Sequence, residues 1–312
     1  MAYLYTEMHS RWGDEALWDT ELGEIASYDG QRVFDGVSLG WNPYDYVRID
    51  GTFRDWGIAQ MRMVLRKVKA LGLKLHIELY GVGKQGTPVT AINKWNELVV
   101  KEAVEVFGPT EVTFSSQNEP KPFSLRQVDS ALVAHFNHIK TIWNAPVMGS
   151  VPTSLKSKGY KFFGPALHGW HEWPEGSNFS TGYELYSHLA FYYWVYKQPE
   201  YWNAIQTFGH DWNLYVTGDP AIDPVKASTE KLTALLDMKR FHFGTSLPAM
   251  IGEFHVRSHP LRTDFERWYD TGRSLRAMQD LDIQMVTMYV WNVDDPQAIR
   301  KNDGTRNDPA YF

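Results

Sequence analysis

Apolar and polar positions alternate along the chain in two registers that take turns. Short apolar runs are followed by longer stretches in which apolar residues recur at helical spacing. The pattern predicts a strand over Ala2–Met8 and a helix over Glu15–Tyr28 ended by Asp29-Gly30. A second strand follows at Val33–Gly40, a helix at Thr52–Leu71 and a third strand at Leu73–Tyr80. In the Thr52–Leu71 helix Trp56, Met63, Leu65 and Val68 share one face, and Arg62, Arg66, Lys67 and Lys69 another, with Gly72 as C-cap. Thr90–Phe107 reads as a helix with Thr90 as N-cap, Glu111–Ser116 as strand four and Ser124–Trp143 as a helix.

The rhythm predicts strand five at Pro146–Val151, a short helix or turn near Ser154–Phe162, and strand six at Pro165–Trp170. An irregular excursion over Trp173–Asp223 then reads as an insertion after strand six. Pro224–Phe243 is a helix, Pro248–Phe254 strand seven, Thr263–Leu281 a helix and Ile283–Trp291 strand eight. The tail Asn292–Phe312 is too polar for a full last helix.

Eight strands alternating with helices call for a parallel sheet, and closing it into a (β/α)8 barrel leaves no free edge. An open doubly wound sheet usually carries a Gly-rich phosphate turn after its first strand, which Gly36, Gly40, Gly81 and Gly83 do not build. No internal repeat, low-complexity tract or linker divides the chain. The expectation is one α/β domain, a single (β/α)8 TIM barrel over residues 1–312, with the insertion at about 173–223 and a short or degenerate last helix.

Composition narrows the chemistry. The 312 residues include 13 Trp, 17 Tyr and 16 Phe, an aromatic share that points to a cleft lined with rings. There is no Cys, so disulfides, thiolate catalysis and zinc–thiolate sites are excluded. A net charge of −6 argues against a nucleic-acid partner. No apolar run reaches the length of a membrane span, and the start shows no secretory leader, which leaves the compartment open.

In a barrel the reactive groups sit where strands end. Strand four ends in Ser116-Gln117-Asn118-Glu119-Pro120, strand seven in Gly252-Glu253-Phe254-His255, and strand eight in Tyr289-Val290-Trp291-Asn292. A Glu closing strand four and a Glu closing strand seven face each other across the mouth. Two carboxyls flanking one bond are what glycoside hydrolysis needs: one protonated to release the leaving oxygen, one ionised to attack. Asn118 is placed to bind a sugar 2-OH.

These motifs resemble glycoside hydrolase clan A, the 4/7 superfamily of retaining β-glycosidases. The resemblance implies Glu119 as acid/base, Glu253 as nucleophile, Asn118 as 2-OH ligand and Trp291 as the platform under the sugar at the cleavage point. It implies no cofactor and a β-linked polysaccharide or oligosaccharide as substrate, with β-1,4-glucan or mannan first. The chain also departs from the cellulase-like pattern. Gly40-Trp41-Asn42-Pro43 stands where an Arg is common at strand two, and His168-Gly169-Trp170-His171-Glu172-Trp173 shows no His-x-Tyr at strand six. His168, His171 or a Tyr from the insertion is left to orient Glu253.

The remaining site candidates are His76 and Tyr80 at strand three, Tyr289 at strand eight, and the rings of Trp41, Trp170 and Trp173, which offer flat faces for pyranose stacking. Several rings in one loop favour an extended chain of sugars and endo action. Two other readings use the same residues. His76, Glu78, His168, His171, Glu253 and His255 form a potential ligand set for a metal-dependent barrel hydrolase or isomerase. A non-catalytic sugar-binding barrel would keep the tryptophans and need neither Glu.

Overall fold

A computed structural model of the chain describes residues 1–8, 15–27, 30–32, 34–80, 84, 86–116, 161–168, 209–244 and 247–289. Eight parallel strands close into a barrel in chain order. They are β1 (Tyr3–Met8), β2 (Gly36–Gly40), β3 (Lys74–Leu79), β4 (Val112–Ser116), β5 (Lys161–His168), β6 (Gly209–Val216), β7 (Ala249–Val256) and β8 (Met285–Met288). Closure comes from β1 pairing with both β2 and β8. The described helices are α1 (Glu15–Ala26), α2 (Pro43–Tyr46), α3 (Asp55–Ala70), α4 (Val89–Phe107), α5 (Pro224–Phe243) and α6 (Asp264–Met278). Among the described residues no helix is long and apolar enough to cross a membrane.

Three helix ends have a clear local cause. Asp223 caps α5 by accepting from the Val225 N–H, with Pro224 at the first helical position. Thr263 and Glu266 form a reciprocal capping box at the start of α6. Gly72, at φ +68°, turns the chain out of α3 into β3. On α3 the buried stripe is Met61, Val64, Leu65 and Val68, whereas Trp56 is 39% exposed, so the ring expected to pack lies at the surface.

The sheet has two faces with different chemistry. Val37, Leu39, Leu75, Ile77, Trp212, Leu214, Ile251, Phe254 and Val286 belong to the large cluster shared with the helices. Inside the barrel, Tyr5, Phe163, Met250 and Met285 form a separate apolar cluster that fills its floor.

Strands five and six depart from the expected positions. Lys161–His168 is β5, so Pro165 lies inside the fifth strand instead of opening the sixth. Its pairing with β6 slips between Phe163 and Ala166, the kind of irregularity that accommodates a proline. The sixth strand, Gly209–Val216, falls within the segment expected to be an insertion. The long connection therefore runs between β5 and β6, not after strand six. Asp and Asn on its inward face break up the apolar run by which strands are usually recognised. The helix expected over Ser124–Trp143 and the strand expected at Pro146–Val151 lie outside the described residues.

Candidate active site

Alternation along the strands delivers polar groups to the barrel axis above the apolar floor. On β6, Gly209, Asp211, Asn213 and Tyr215 share one face, and His210, Trp212, Leu214 and Val216 the other. Asp211 is fully buried. It accepts hydrogen bonds from the Ser115 hydroxyl of β4 and from the backbone N–H of Gly252. Burial outweighs these bonds and pushes its carboxyl up to about 7. His76, on β3, is equally buried, with Nδ1 2.8 Å from the Thr113 hydroxyl. Burial pulls its imidazole down to about 3, so it stays neutral.

Strand β7 turns Glu253 inward by a bulge. In the pairing with β6, Trp212 stands opposite Ile251 and Asn213 opposite Glu253, so Gly252 is an extra residue. The pairing with β8 shifts in the same place, between Ile251 and Phe254. The bulge lets Met250 and Glu253, three positions apart, both face the axis while Ile251 and Phe254 face the helices. A Cβ on Gly252 would lie 2.6 Å from Asp211 Oδ1 and 3.0 Å from Asn213 Oδ1, so any larger residue here would displace the buried Asp211.

Glu253 is buried, and its Oε2 accepts a hydrogen bond from the Tyr215 hydroxyl. Tyr215 in turn meets Tyr289 edge to face, ring centroids 6.1 Å apart. The tyrosine that holds Glu253 thus comes from the true sixth strand, in the sequence Asn213-Leu214-Tyr215, and not from the His168–Trp173 segment. Two more carboxyls share the mouth. Oxygens of Glu7 on β1, Glu78 on β3 and Glu253 lie within 4.8 Å of one another. The Tyr80 hydroxyl donates to Glu78 Oε2 at 2.8 Å. Burial, then the charges of Glu7 and Glu253, push the Glu78 carboxyl well above the usual carboxylate range. The Tyr80 phenol is pushed up as well, by burial and then by Glu78.

Of the residues expected at the site, the structure brings Glu253, His76, Tyr80 and Tyr289 to the interior or mouth of the barrel. Trp41 is 2% exposed and belongs to the main core, where its carbonyl accepts from Trp95 Nε1 at 2.8 Å. It packs the barrel wall instead of lining an open cleft. His255 points away from the mouth, against the Trp268 ring at 4.9 Å, so it is not a partner of Glu253 in a metal set. His168 ends β5 and pairs with Asn213, its side chain outside the description. Asn118, Glu119, Trp170, His171, Trp173 and Trp291 lie outside the described residues. The sequence does not single out Glu7, Asp211 or Asn213, and it reaches Tyr215 only as an unspecified Tyr of the 173–223 segment. For the last three the period-two pattern of Gly209–Val216 was the available signal.

No family model matches the chain, and no curated protein matches it. Solved structures do. A GH5 enzyme from Bifidobacterium longum subsp. longum, in complex with Manb1-4GlcNAc, aligns at TM-score 0.59 and 12% identity, over 97% of this chain and 75% of that one. A beta-glucosidase from Exiguobacterium marinum aligns at 0.57 and 12%, over 93% and 89%. A GH5-4 broad specificity endoglucanase from an uncultured bacterium aligns at 0.52 and 12%, over 91% and 80%. The chain shares the (β/α)8 fold of these glycosidase structures.

Proposed function

We propose that the protein is a retaining β-glycoside hydrolase that acts on a β-linked polysaccharide or oligosaccharide. The observation that carries this reading is the setting of Glu253: a buried carboxyl turned to the barrel axis by the Gly252 bulge and hydrogen-bonded by Tyr215. A carboxylate held this way at the C-terminal end of a barrel strand is suited to be a nucleophile. The fold shared with glycosidases, and the Asn118-Glu119-Pro120 sequence just beyond β4, add support.

In this mechanism a Glu253 oxygen attacks the anomeric carbon while the bond to the departing sugar breaks. Glu119 delivers its proton to the leaving oxygen, and the sugar remains as an ester on Glu253. Glu119, now a carboxylate, takes a proton from water. The water oxygen attacks the anomeric carbon and frees Glu253. Asn118 binds the 2-OH and Trp291 supplies the platform, with Trp170 and Trp173 as further stacking rings. Endo action on β-1,4-glucan or mannan is the first substrate assignment.

The test is Glu253→Gly with azide. Turnover of an aryl β-glycoside stops, and azide restores cleavage with an α-glycosyl azide as product. Undiminished hydrolysis by Glu253→Gly overturns the mechanism. One observation favours a second reading, a metal-dependent hydrolase or isomerase: the approach of Glu7, Glu78 and Glu253 from three strands. Loss of activity in EDTA and its return with a divalent cation would select that reading.

A further inference from the structure

One polar contact crosses the barrel instead of following its wall. Ser115 lies on β4 and Asp211 on β6, and β5 stands between these strands in the sheet. The Ser115 hydroxyl nevertheless donates to Asp211 Oδ2. Both residues are fully buried, so the bond is a chord across the interior. Ser115 Oγ also lies 3.9 Å from Met250 Sδ of β7, which seats the chord on the apolar floor. Burying a carboxyl costs free energy that an apolar pair of similar volume would not. What a polar chord adds in return is a fixed direction.

The other side of Asp211 meets the bulge on β7. Gly252 has no counterpart in the pairing with β6 or with β8. A bulged residue drops out of the regular ladder, and its peptide is not held by strand pairing alone. The Gly252 N–H donates to the Asp211 carboxyl. Asp211 Oδ1 stands 2.6 Å from where a Cβ on Gly252 would be, so the carboxyl is seated directly against the bulge. Glu253 is the next residue. A tilt of the Gly252 peptide swings the Glu253 side chain and carries its Oε2 away from the Tyr215 hydroxyl that donates to it. At the far end of the chord, Ser115 precedes Glu119 by four residues in sequence. The chord thus joins the strand that leads to one proposed catalytic carboxyl with the bulge that carries the other.

We propose that Asp211 is a positioning residue: anchored on β4 by Ser115, it holds the Gly252 peptide and through it aims the Glu253 carboxyl at the barrel axis. The catalytic part of this assignment rests on the glycosidase reading. Asp211 acts through the backbone of Gly252, and no covalent step passes through it.

The test uses Asp211→Ala, Asp211→Asn and Ser115→Ala in the intact protein, with Asp270→Ala as a control that loses an ion pair on α6, outside the barrel. Asp211→Ala is expected to lower kcat on an aryl β-glycoside about 100-fold, and Ser115→Ala about 10-fold, with KM within about twofold. Asp211→Asn keeps an acceptor oxygen and returns to within about fivefold of wild type. Asp270→Ala loses stability and keeps its kcat. Because Ser115 and Tyr215 restrain the same carboxyl, the combined loss in Ser115→Ala with Tyr215→Phe is smaller than the product of the two single losses. Crystal structures of Ser115→Ala and Asp211→Ala give a readout independent of turnover: Glu253 Oε2 moves out of reach of the Tyr215 hydroxyl. Where Asp211→Ala does not fold, Ser115→Ala decides by the same measurements. An unmoved Glu253, a raised KM with kcat intact, losses that multiply in the double variant, or Asp211→Asn as impaired as Asp211→Ala overturns the proposal. Displacement of Glu253 in a protein whose wild type cleaves no β-glycoside overturns the glycosidase reading instead and leaves the structural tie standing.

Discussion

The Tyr215 hydroxyl donates a hydrogen bond to Glu253 Oε2 across the β6–β7 seam. The pair is fixed from behind by Tyr289 and from below by the Gly252 bulge. In the proposed mechanism Glu253 needs one oxygen presented and the other restrained, and the Tyr215 hydroxyl supplies that restraint. Tyr215→Phe keeps the ring packing and removes only the hydroxyl. Expected is a fall in kcat of about 10- to 100-fold with KM little changed, since the lost contact aims the attacking group and does not hold substrate. Steady-state kinetics on one oligosaccharide decide it; a KM rise with kcat intact would place Tyr215 in binding instead.

Much of this arrangement is legible in sequence, and the rest is hidden for identifiable reasons. Strands three, four and seven read correctly because their outward faces are continuous runs of Leu, Ile, Val and Phe that meet the helices. Glu253 follows from its place at the end of such a run. The sixth strand is hidden because its inward face is Gly209, Asp211, Asn213 and Tyr215, so hydropathy averages out while the alternation remains. The fifth is hidden because Pro165 reads as a strand start when it sits at a slip in the pairing. The approach of Glu7 to Glu78 follows from the curvature of the sheet across β2, which no local pattern encodes. Trp41 shows the reverse failure: an aromatic at a strand end is a reasonable ring for a cleft, and here it is core.

Gly36 and Gly40 lie on the same strand face and separate stability from activity. A Cβ at Gly36 would meet the Tyr5 ring at 2.5 Å and the Lys74 carbonyl oxygen at 2.6 Å, and a backbone carbonyl cannot swing aside. Gly36→Ala is expected to cost about 2 kcal/mol or more of unfolding free energy. At Gly40 the three nearest atoms all belong to the Tyr80 ring, a side chain that can turn at the expense of its bond to Glu78. Gly40→Ala therefore costs less stability and more activity. Urea denaturation alongside kinetics reads both, and the opposite ranking would show that the Tyr80 ring is not adjustable.

Arg262 and Asp270 form an ion pair whose side chains are only 8% and 13% exposed. Arg262 Nε also donates to the Gly218 carbonyl at 2.8 Å, tying the end of β6 to α6. Asp270→Ala leaves a mostly buried guanidinium without its anion, at a cost of about 3 kcal/mol. Replacing both with apolar residues, Arg262→Met with Asp270→Leu, is expected to recover much of that loss. A double variant as unstable as the single one would show that the Gly218 tie, not charge pairing, is what matters.

Asp211 and the buried histidines pull the pH dependence of stability in opposite directions. The folded Asp211 carboxyl lies near 7, above its unfolded value near 4. Between about pH 4 and 7 the folded state holds a proton that the unfolded state has lost, so Asp211 makes stability fall as pH rises. His76 and His210 are held near 3 by burial, below their unfolded value near 6.5. Between about pH 3 and 6.5 the unfolded state binds protons that the folded state refuses, so these groups make stability rise with pH. The slopes cancel in part over the shared window. Asp211→Asn removes the falling contribution while the amide still accepts from Ser115. Its midpoint of unfolding should climb with pH more steeply than the wild type's between about pH 4 and 6.5. His76→Gln should do the opposite. Denaturation curves at half-unit intervals of pH distinguish these outcomes: parallel wild-type and Asp211→Asn profiles would mean that Asp211 is ionised in the folded protein and that the polar layer above the barrel floor is charged.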